Sequence, residues 1–114
     1  MYRRILVPLD GSIFSERALP LATTIARATD ATIELVRAAW IPSLPALDPI
    51  DAQVRAVREA RVYLEAVADE LRAQGLKADV SVPFALADAG ILREIERSRA
   101  DIVVMASHRK PTPE

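Results

Sequence analysis

Ile5-Leu-Val-Pro-Leu-Asp-Gly-Ser12 is an apolar run that stops on a carboxylate, and a helix-like pattern begins directly after its Gly-Ser pair. An apolar run bounded by turn residues is typical of a strand buried on both faces of a parallel sheet. Open α/β sheets bind ligands in the crevice outside the carboxyl ends of their strands. The stretch therefore predicts an α/β domain. The residues expected to reach its crevice from this strand are Pro8, Leu9, Asp10, Gly11 and Ser12.

The first predicted helix carries one apolar stripe, and a second strand follows it. The stripe recurs at three- and four-residue spacing, with Ser12 or Ser15 as its cap, and comprises Ala18, Leu21, Ala22, Ile25 and Ala26. Pro20 should kink this helix or lie close to its first turn. The β-favouring run from Ala31 to Trp40 predicts strand two, despite Glu34 and Arg37.

The rest of the chain continues the alternation after a proline-rich loop over 41–49. A long helix ending at Gly75 should bury one face, formed by Ile50, Val54, Val57, Leu64, Val67 and Leu71. Strict alternation from Leu76 to Phe84 predicts a half-exposed edge strand. In the next helix Asp88 is the expected cap, and the residues expected to face inward are Ile91, Leu92 and Ile95. The apolar run from Ile102 to Ala106 predicts a central strand.

The resulting β-α-β-α-β-α-β order predicts a doubly wound parallel sheet with right-handed crossovers, in which strands one and four are neighbours at the switch point. The crevice should therefore also receive the residues that end strand four. These are Met105, Ala106, Ser107, His108 and Arg109, followed by Lys110.

Composition narrows the classes of function. The chain has 114 residues, which suits one domain, with 51% hydrophobic and 27% charged residues and a net charge of −1. No basic stripe with interleaved aromatics is present, so a nucleic-acid partner is not expected. The absence of cysteine excludes disulfides and thiolate catalysis. No apolar window is long enough for a membrane span, and Pro8 and Asp10 interrupt any signal-peptide core, so a cytoplasmic protein is expected.

Few side chains in the predicted crevice suggest chemistry. Asp10 suits sugar hydroxyls better than phosphates. From the residues alone, a ligand contact is as well supported as a role in capping the following helix or ordering its turn. His108 has no cysteine or second histidine with which to bind a metal, and no nucleophile for a triad. Ser12 and Ser107 fit turn and cap positions better than nucleophilic ones. We therefore expect neither an enzyme nor a metal site.

Several of these segments together resemble the universal stress protein family. They are Ile5–Ser12 with Ser15–Pro20, Ile91–Ile95, and Ala100–His108. The resemblance implies a five-stranded parallel sheet between helices, usually a homodimer, and in many members an ATP site between strands one and four. In those ATP-binding members an aspartate matching Asp10 contacts the nucleotide, and a position matching about Ala38 lies against adenine. Phosphates are held by a Gly-x-x-Gly loop after strand four and by a later Gly-Ser or Gly-Thr segment.

The chain departs from this family pattern in the phosphate-holding half of the pocket. The two loop glycines correspond to Ala106 and Arg109, and only Pro-Thr-Pro-Glu follows Lys110. We therefore expect residues 1–114 to be a single, C-terminally incomplete domain with four strands of the usual five, or a partner chain to cover the strand-four edge. Two hypotheses follow. The first is a stress-response module with a partial pocket for ATP or another adenine nucleotide. The second is a dimerisation or interaction module that binds no nucleotide.

Overall fold

The computed structural model describes residues 2–39, 49–85 and 87–106. Its strands are β1 (Arg4–Pro8), β2 (Thr32–Val36), β3 (Lys77–Ser81) and β4 (Ile102–Val103). Its helices are α1 (Leu19–Thr29), which follows a 3₁₀ turn at Ser15–Ala18, α2 (Pro49–Ala73) and α3 (Ala87–Ser98). The proline-rich loop predicted over 41–49 lies outside the described residues, except that Pro49 begins α2. The predicted alternation of strands and helices is confirmed.

The four strands form one parallel sheet in the order β3-β2-β1-β4. Ile5 lies opposite both Ile33 of β2 and Ile102 of β4, so β1 is central. The predicted neighbourhood of strands one and four is confirmed, as is the edge position of strand three. The reversal of strand order beside β1 brings the ends of β1, β2 and β4 to one edge of the sheet, where such folds bind ligands.

The two faces of the sheet are covered by different helices. Alternate residues of β1 and β2 face one way and join α1 and α2 in one apolar cluster, which includes Ile5, Val7, Ile33, Leu35, Ala22, Ala26, Leu64 and Ala68. The opposite face receives α3, because Gly90 of that helix lies against Ala38 and Pro83 and Glu94 contacts Glu34. Apolar burial on both faces accounts for the uninterrupted apolar character of β1.

Local backbone chemistry explains where the helices begin and end. Pro20 occupies the first turn of α1, where a missing N–H costs no helical hydrogen bond, so the first-turn alternative is confirmed. No side chain caps α1, although Ser12 Oγ accepts a bond from the Ser15 N–H, 3.1 Å away, ahead of the 3₁₀ turn. Beyond α2, Gly75 adopts φ +86°, a left-handed conformation that suits glycine.

Several sequence predictions are wrong in detail. Strand four is two residues long, where the apolar run predicted a strand from Ile102 to Ala106. Asp88 lies inside α3 and does not precede it. Four residues that were predicted to face inward are exposed, namely Leu21, Ile50, Val54 and Leu92. Periodicity identifies one side of a helix, but the width of the buried stripe depends on what packs there. Within the described ranges, no helix has the length and apolarity of a membrane span.

Candidate functional site

The turn after β1 is held by hydrogen bonds among Asp10, Ser12 and Ser15. Asp10 Oδ1 accepts a bond from the Ser12 N–H at 2.8 Å, and Ser15 Oγ accepts one from the Asp10 N–H at 3.2 Å. Ser15 Oγ also donates to the Ser12 carbonyl oxygen at 2.9 Å. This network forms because Gly11, at φ +89°, reverses the chain between the two bonding residues. The turn-ordering role considered for Asp10 is therefore present.

The Asp10 side chain is nevertheless exposed. Hydrogen bonds from the Ser12 side chain and from the Ser12 backbone lower the pKa of the Asp10 carboxyl below its usual value. The group is therefore an anion at neutral pH, and the turn holds it in one orientation. A fixed and exposed carboxylate retains lone pairs for hydroxyl donors from a ligand.

A cavity of about 380 Å³ lies beside this carboxylate, at the carboxyl ends of three strands. This volume is within the range of small-molecule sites. Its walls come from the end of β1 and the following turn, the end of β2, α3, and the segment after β4. The lining residues are Pro8, Leu9, Asp10, Ser15, Val36, Arg37, Ala38, Ile91, Met105 and Ala106.

The structure places the predicted site residues in three groups. Those that line the cavity are Pro8, Leu9, Asp10, Ala38, Met105 and Ala106. Gly11 and Ser12 form the turn that carries Asp10, and they do not line the cavity. Ser107, His108 and Arg109 lie outside the described residues. The geometry brings the first group together, and binding by any of them stays a prediction.

The lining residues that were not predicted for the site are Ser15, Val36, Arg37 and Ile91. Among them, Arg37 was considered only as a charge unfavourable to strand two. Its guanidinium lies 5.4 Å from the centre of the Tyr63 ring. It also lies against Gly11, where an added Cβ would be 2.9 Å from Nη1. The available signal was its position next to Ala38 at the end of a predicted strand, at the edge of the sheet where the crevice was expected.

Tyr63 itself is fixed from α2. Its hydroxyl donates a 2.8 Å hydrogen bond to Glu16 Oε2, which links α2 to the 3₁₀ turn. Burial, and then this bond, raise the pKa of the Tyr63 hydroxyl, so the ring remains neutral. A neutral aromatic ring held in place offers its π face to the Arg37 cation.

The polar groups at the cavity are suited to binding. They offer a carboxylate, a guanidinium and the Ser15 hydroxyl, which is buried and already bonded within the turn. Across the described part of the chain, no group of three His, Cys, Asp or Glu side chains is placed to hold a metal ion.

The model of the universal stress protein family matches residues 1–114. The chain belongs to this family. Solved universal stress proteins share its fold at low sequence identity. One from Burkholderia pseudomallei is 24% identical with a TM-score of 0.82, and the match covers 94% of this chain and 83% of that one. No curated protein gave a significant match to the sequence.

Two further universal stress protein structures of similar fold contain adenosine nucleotides. One is described in complex with cAMP, and matches with 21% identity and a TM-score of 0.71, covering 91% of this chain and 75% of that one. The other, from Arabidopsis thaliana with AMP bound, has 19% identity and a TM-score of 0.69, and the match covers 90% and 76% of the two chains. At these identities the likeness establishes the fold.

Proposed function

We propose that this universal stress protein binds an adenine nucleotide in the cavity at the ends of β1, β2 and β4, and acts as a nucleotide-responsive module in a stress response. The observation that carries the proposal is the exposed Asp10 carboxylate, held by Ser12 at the edge of a cavity of about 380 Å³. The relatives described with cAMP and AMP support the choice of an adenine nucleotide.

The lining suits the parts of a nucleoside. Ala38, Ile91 and Met105 give the cavity an apolar wall against which a flat base packs. Asp10 accepts hydrogen bonds from ribose hydroxyls, because an ionised carboxylate is an acceptor only. Charge-assisted hydrogen bonds of this kind are about twice as strong as neutral ones, so the ribose contact fixes the orientation of the ligand.

Isothermal titration calorimetry with AMP, ADP, ATP and cAMP tests the proposal, with GMP as the control for the base. Asp10→Asn is the informative variant, because its side-chain oxygen still accepts from the Ser12 N–H and so preserves the turn. We expect this variant to lose about tenfold in affinity, equivalent to about 1.4 kcal/mol. Asp30→Asn is the matched control, since Asp30 lies at the opposite end of the sheet.

Two results would contradict the proposal. One is the absence of binding by any adenine nucleotide at millimolar concentration in a folded sample. The other is equal affinity of Asp10→Asn and the wild type, which would leave Asp10 with its turn-ordering role alone.

A second candidate function, self-association as a homodimer, is favoured by the edge of the sheet. Among the described residues no strand pairs with the outer side of β4, and Met105 beside it is exposed. Unpaired strand edges tend to pair with other chains. We expect sedimentation velocity over a concentration series to show a dimer. A single monomeric species at the highest concentration would refute self-association.

A further inference from the structure

Arg37 is held at the mouth of the cavity by its backbone and by two neighbours. Its N–H donates to the Ser81 carbonyl oxygen at 3.2 Å, which fixes the chain just beyond β2. Three guanidinium atoms, Nη1, Cζ and Nη2, would lie within 3.4 Å of a Cβ built on Gly11. The planar guanidinium therefore lies close to Gly11, which has no side chain, and the Tyr63 ring lies on it at 5.4 Å.

Among the described residues, no carboxylate lies within ion-pair distance of this guanidinium. Four other cations of the described chain form ion pairs, namely Arg4, Arg72, Lys77 and Arg97, whereas Arg37 has no carboxylate oxygen within 4.0 Å there. The residue is half-buried and lines the cavity. A planar guanidinium presents its N–H donors in a fork that fits two oxygens of one phosphate.

We propose that Arg37 recognises the phosphate in this cavity and that the site therefore selects adenosine monophosphates. This inference rests on the proposed adenine-nucleotide function. Ala106, which follows β4, also lines this cavity. In this proposal the side-chain cation of Arg37 is the phosphate ligand.

Within the described part of the cavity lining, the charges favour one phosphate over three. One guanidinium forms one bidentate pair with a phosphate group. The Asp10 carboxylate borders the same cavity and is held ionised, so each additional phosphate adds repulsion. A nucleoside with one phosphate places its acceptor on Arg37 and its ribose hydroxyls on Asp10. A triphosphate adds negative charge with no further described cation in the cavity lining.

Calorimetry with adenosine, AMP and ATP tests the inference on the wild type, Arg37→Gln and Arg37→Lys. We expect the wild type to bind AMP at least tenfold more tightly than adenosine, and ATP no more tightly than AMP. Arg37→Gln should weaken AMP binding by about 10- to 100-fold and leave adenosine binding unchanged. The AMP affinity of Arg37→Lys should fall between those of the wild type and Arg37→Gln, because lysine keeps the charge and lacks the forked pair of donors. Arg27→Gln, at the far end of the sheet, is the control.

The outcomes separate the inference from the function on which it rests. Equal affinities for adenosine and AMP, or an Arg37→Gln variant that binds AMP normally, would overturn the role of Arg37 and leave nucleoside binding in place. ATP binding that is tenfold tighter than AMP binding would overturn selection of the monophosphate. Failure of all three ligands to bind the wild type would overturn both proposals. Retained adenosine affinity shows that each variant is folded.

Discussion

Gly11 is the residue on which the turn and the Arg37 contact both depend. Its φ of +89° disfavours every L side chain, and the space that a Cβ would enter is already occupied by the Arg37 guanidinium. The neighbour is the mobile end of a long side chain, so it moves aside at modest energetic cost. The consequence of a methyl group there should therefore appear in binding more than in folding.

Gly75 provides the matched comparison for Gly11, because its φ is +86° and no atom of the described residues lies within 4 Å of an added Cβ. We expect Gly11→Ala and Gly75→Ala each to lower the free energy of unfolding by about 1 kcal/mol, from backbone strain alone. Only Gly11→Ala should also weaken AMP binding. Urea denaturation followed by calorimetry measures both effects. Unchanged AMP affinity in Gly11→Ala would separate Arg37 from ligand binding.

At the scale of elements, α3 packs on the sheet through two buried carboxyl groups. Glu34 of β2 is 1% exposed and Glu94 of α3 is 3% exposed. Arg4 of β1 donates to Glu34 Oε1, with Nε at 3.1 Å, and also to Asp79 of β3, while Arg97 pairs with Glu94. Glu34 Oε2 is buried and accepts no hydrogen bond from any described residue. A proton on the Glu34 carboxyl makes this group a donor to Glu94.

The pKa values of the pair diverge accordingly. Burial, followed by the hydrogen bond to Glu94, raises the pKa of Glu34 to about 7. For Glu94, burial is the largest single effect and raises the pKa. Hydrogen bonds from Arg97 and then from Glu34 together outweigh burial, so the pKa of Glu94 is lowered. Below about pH 7 a proton therefore resides on Glu34, because two buried carboxyls in contact cannot both be charged without cost.

We expect this proton to make stability depend on pH. A carboxyl whose folded pKa is raised stabilises the fold below its unfolded value near 4.5, and that stability is lost as pH rises through about 7. The loss should be roughly 1–3 kcal/mol. Glu34→Gln keeps an acceptor for Arg4 and a donor for Glu94, so its stability should lack this dependence. Urea denaturation at pH 5, 6, 7 and 8 measures it. If the free energy of unfolding depended equally on pH in the wild type and Glu34→Gln, the shared proton would be contradicted.

Two leucines that the sequence pattern treats alike differ in the structure. Leu64 of α2 is 0% exposed, and Leu92 of α3 is 64% exposed. We expect Leu64→Ala to lower the free energy of unfolding by about 2–5 kcal/mol, because it leaves a cavity in the core. Leu92→Ala should change it by less than about 0.5 kcal/mol. Chemical denaturation distinguishes the two, and a large effect at Leu92 would show that another surface covers this face of α3.

At the scale of the whole molecule, binding across three strand ends should couple the ligand to global stability. A nucleotide that binds only the folded state at a hundred times its Kd stabilises it by about 2.7 kcal/mol. For a domain of this size the melting temperature should rise by on the order of 10 °C. Differential scanning fluorimetry with AMP measures this shift. The Asp10→Asn variant, compared at the same AMP concentration, should shift less, and an equal shift would point to binding elsewhere.

The sequence alone was sufficient for the architecture of this universal stress protein. The apolar run at Ile5 predicts a buried parallel strand, alternation around Val80 predicts an edge, and right-handed crossovers make strands one and four neighbours. The Asp10 turn also follows from the Asp-Gly-Ser order, because its hydrogen bonds connect residues close together in the chain. These features depend on the local pattern of residues and on the right-handed connections between parallel strands, and both can be inferred from the order of residues.

Tertiary structure alone decided which distant side chains meet. The contact of Arg37 with Gly11 and Tyr63, and that of Glu34 with Glu94, join residues on different elements. A charged residue in a strand pattern indicates exposure on average. Only packing shows that Glu34 is buried beside Glu94 and that Arg37 lines the cavity. The physical reason is that burial, dielectric and charge pairing depend on the whole surroundings of a group, which sequence spacing does not specify.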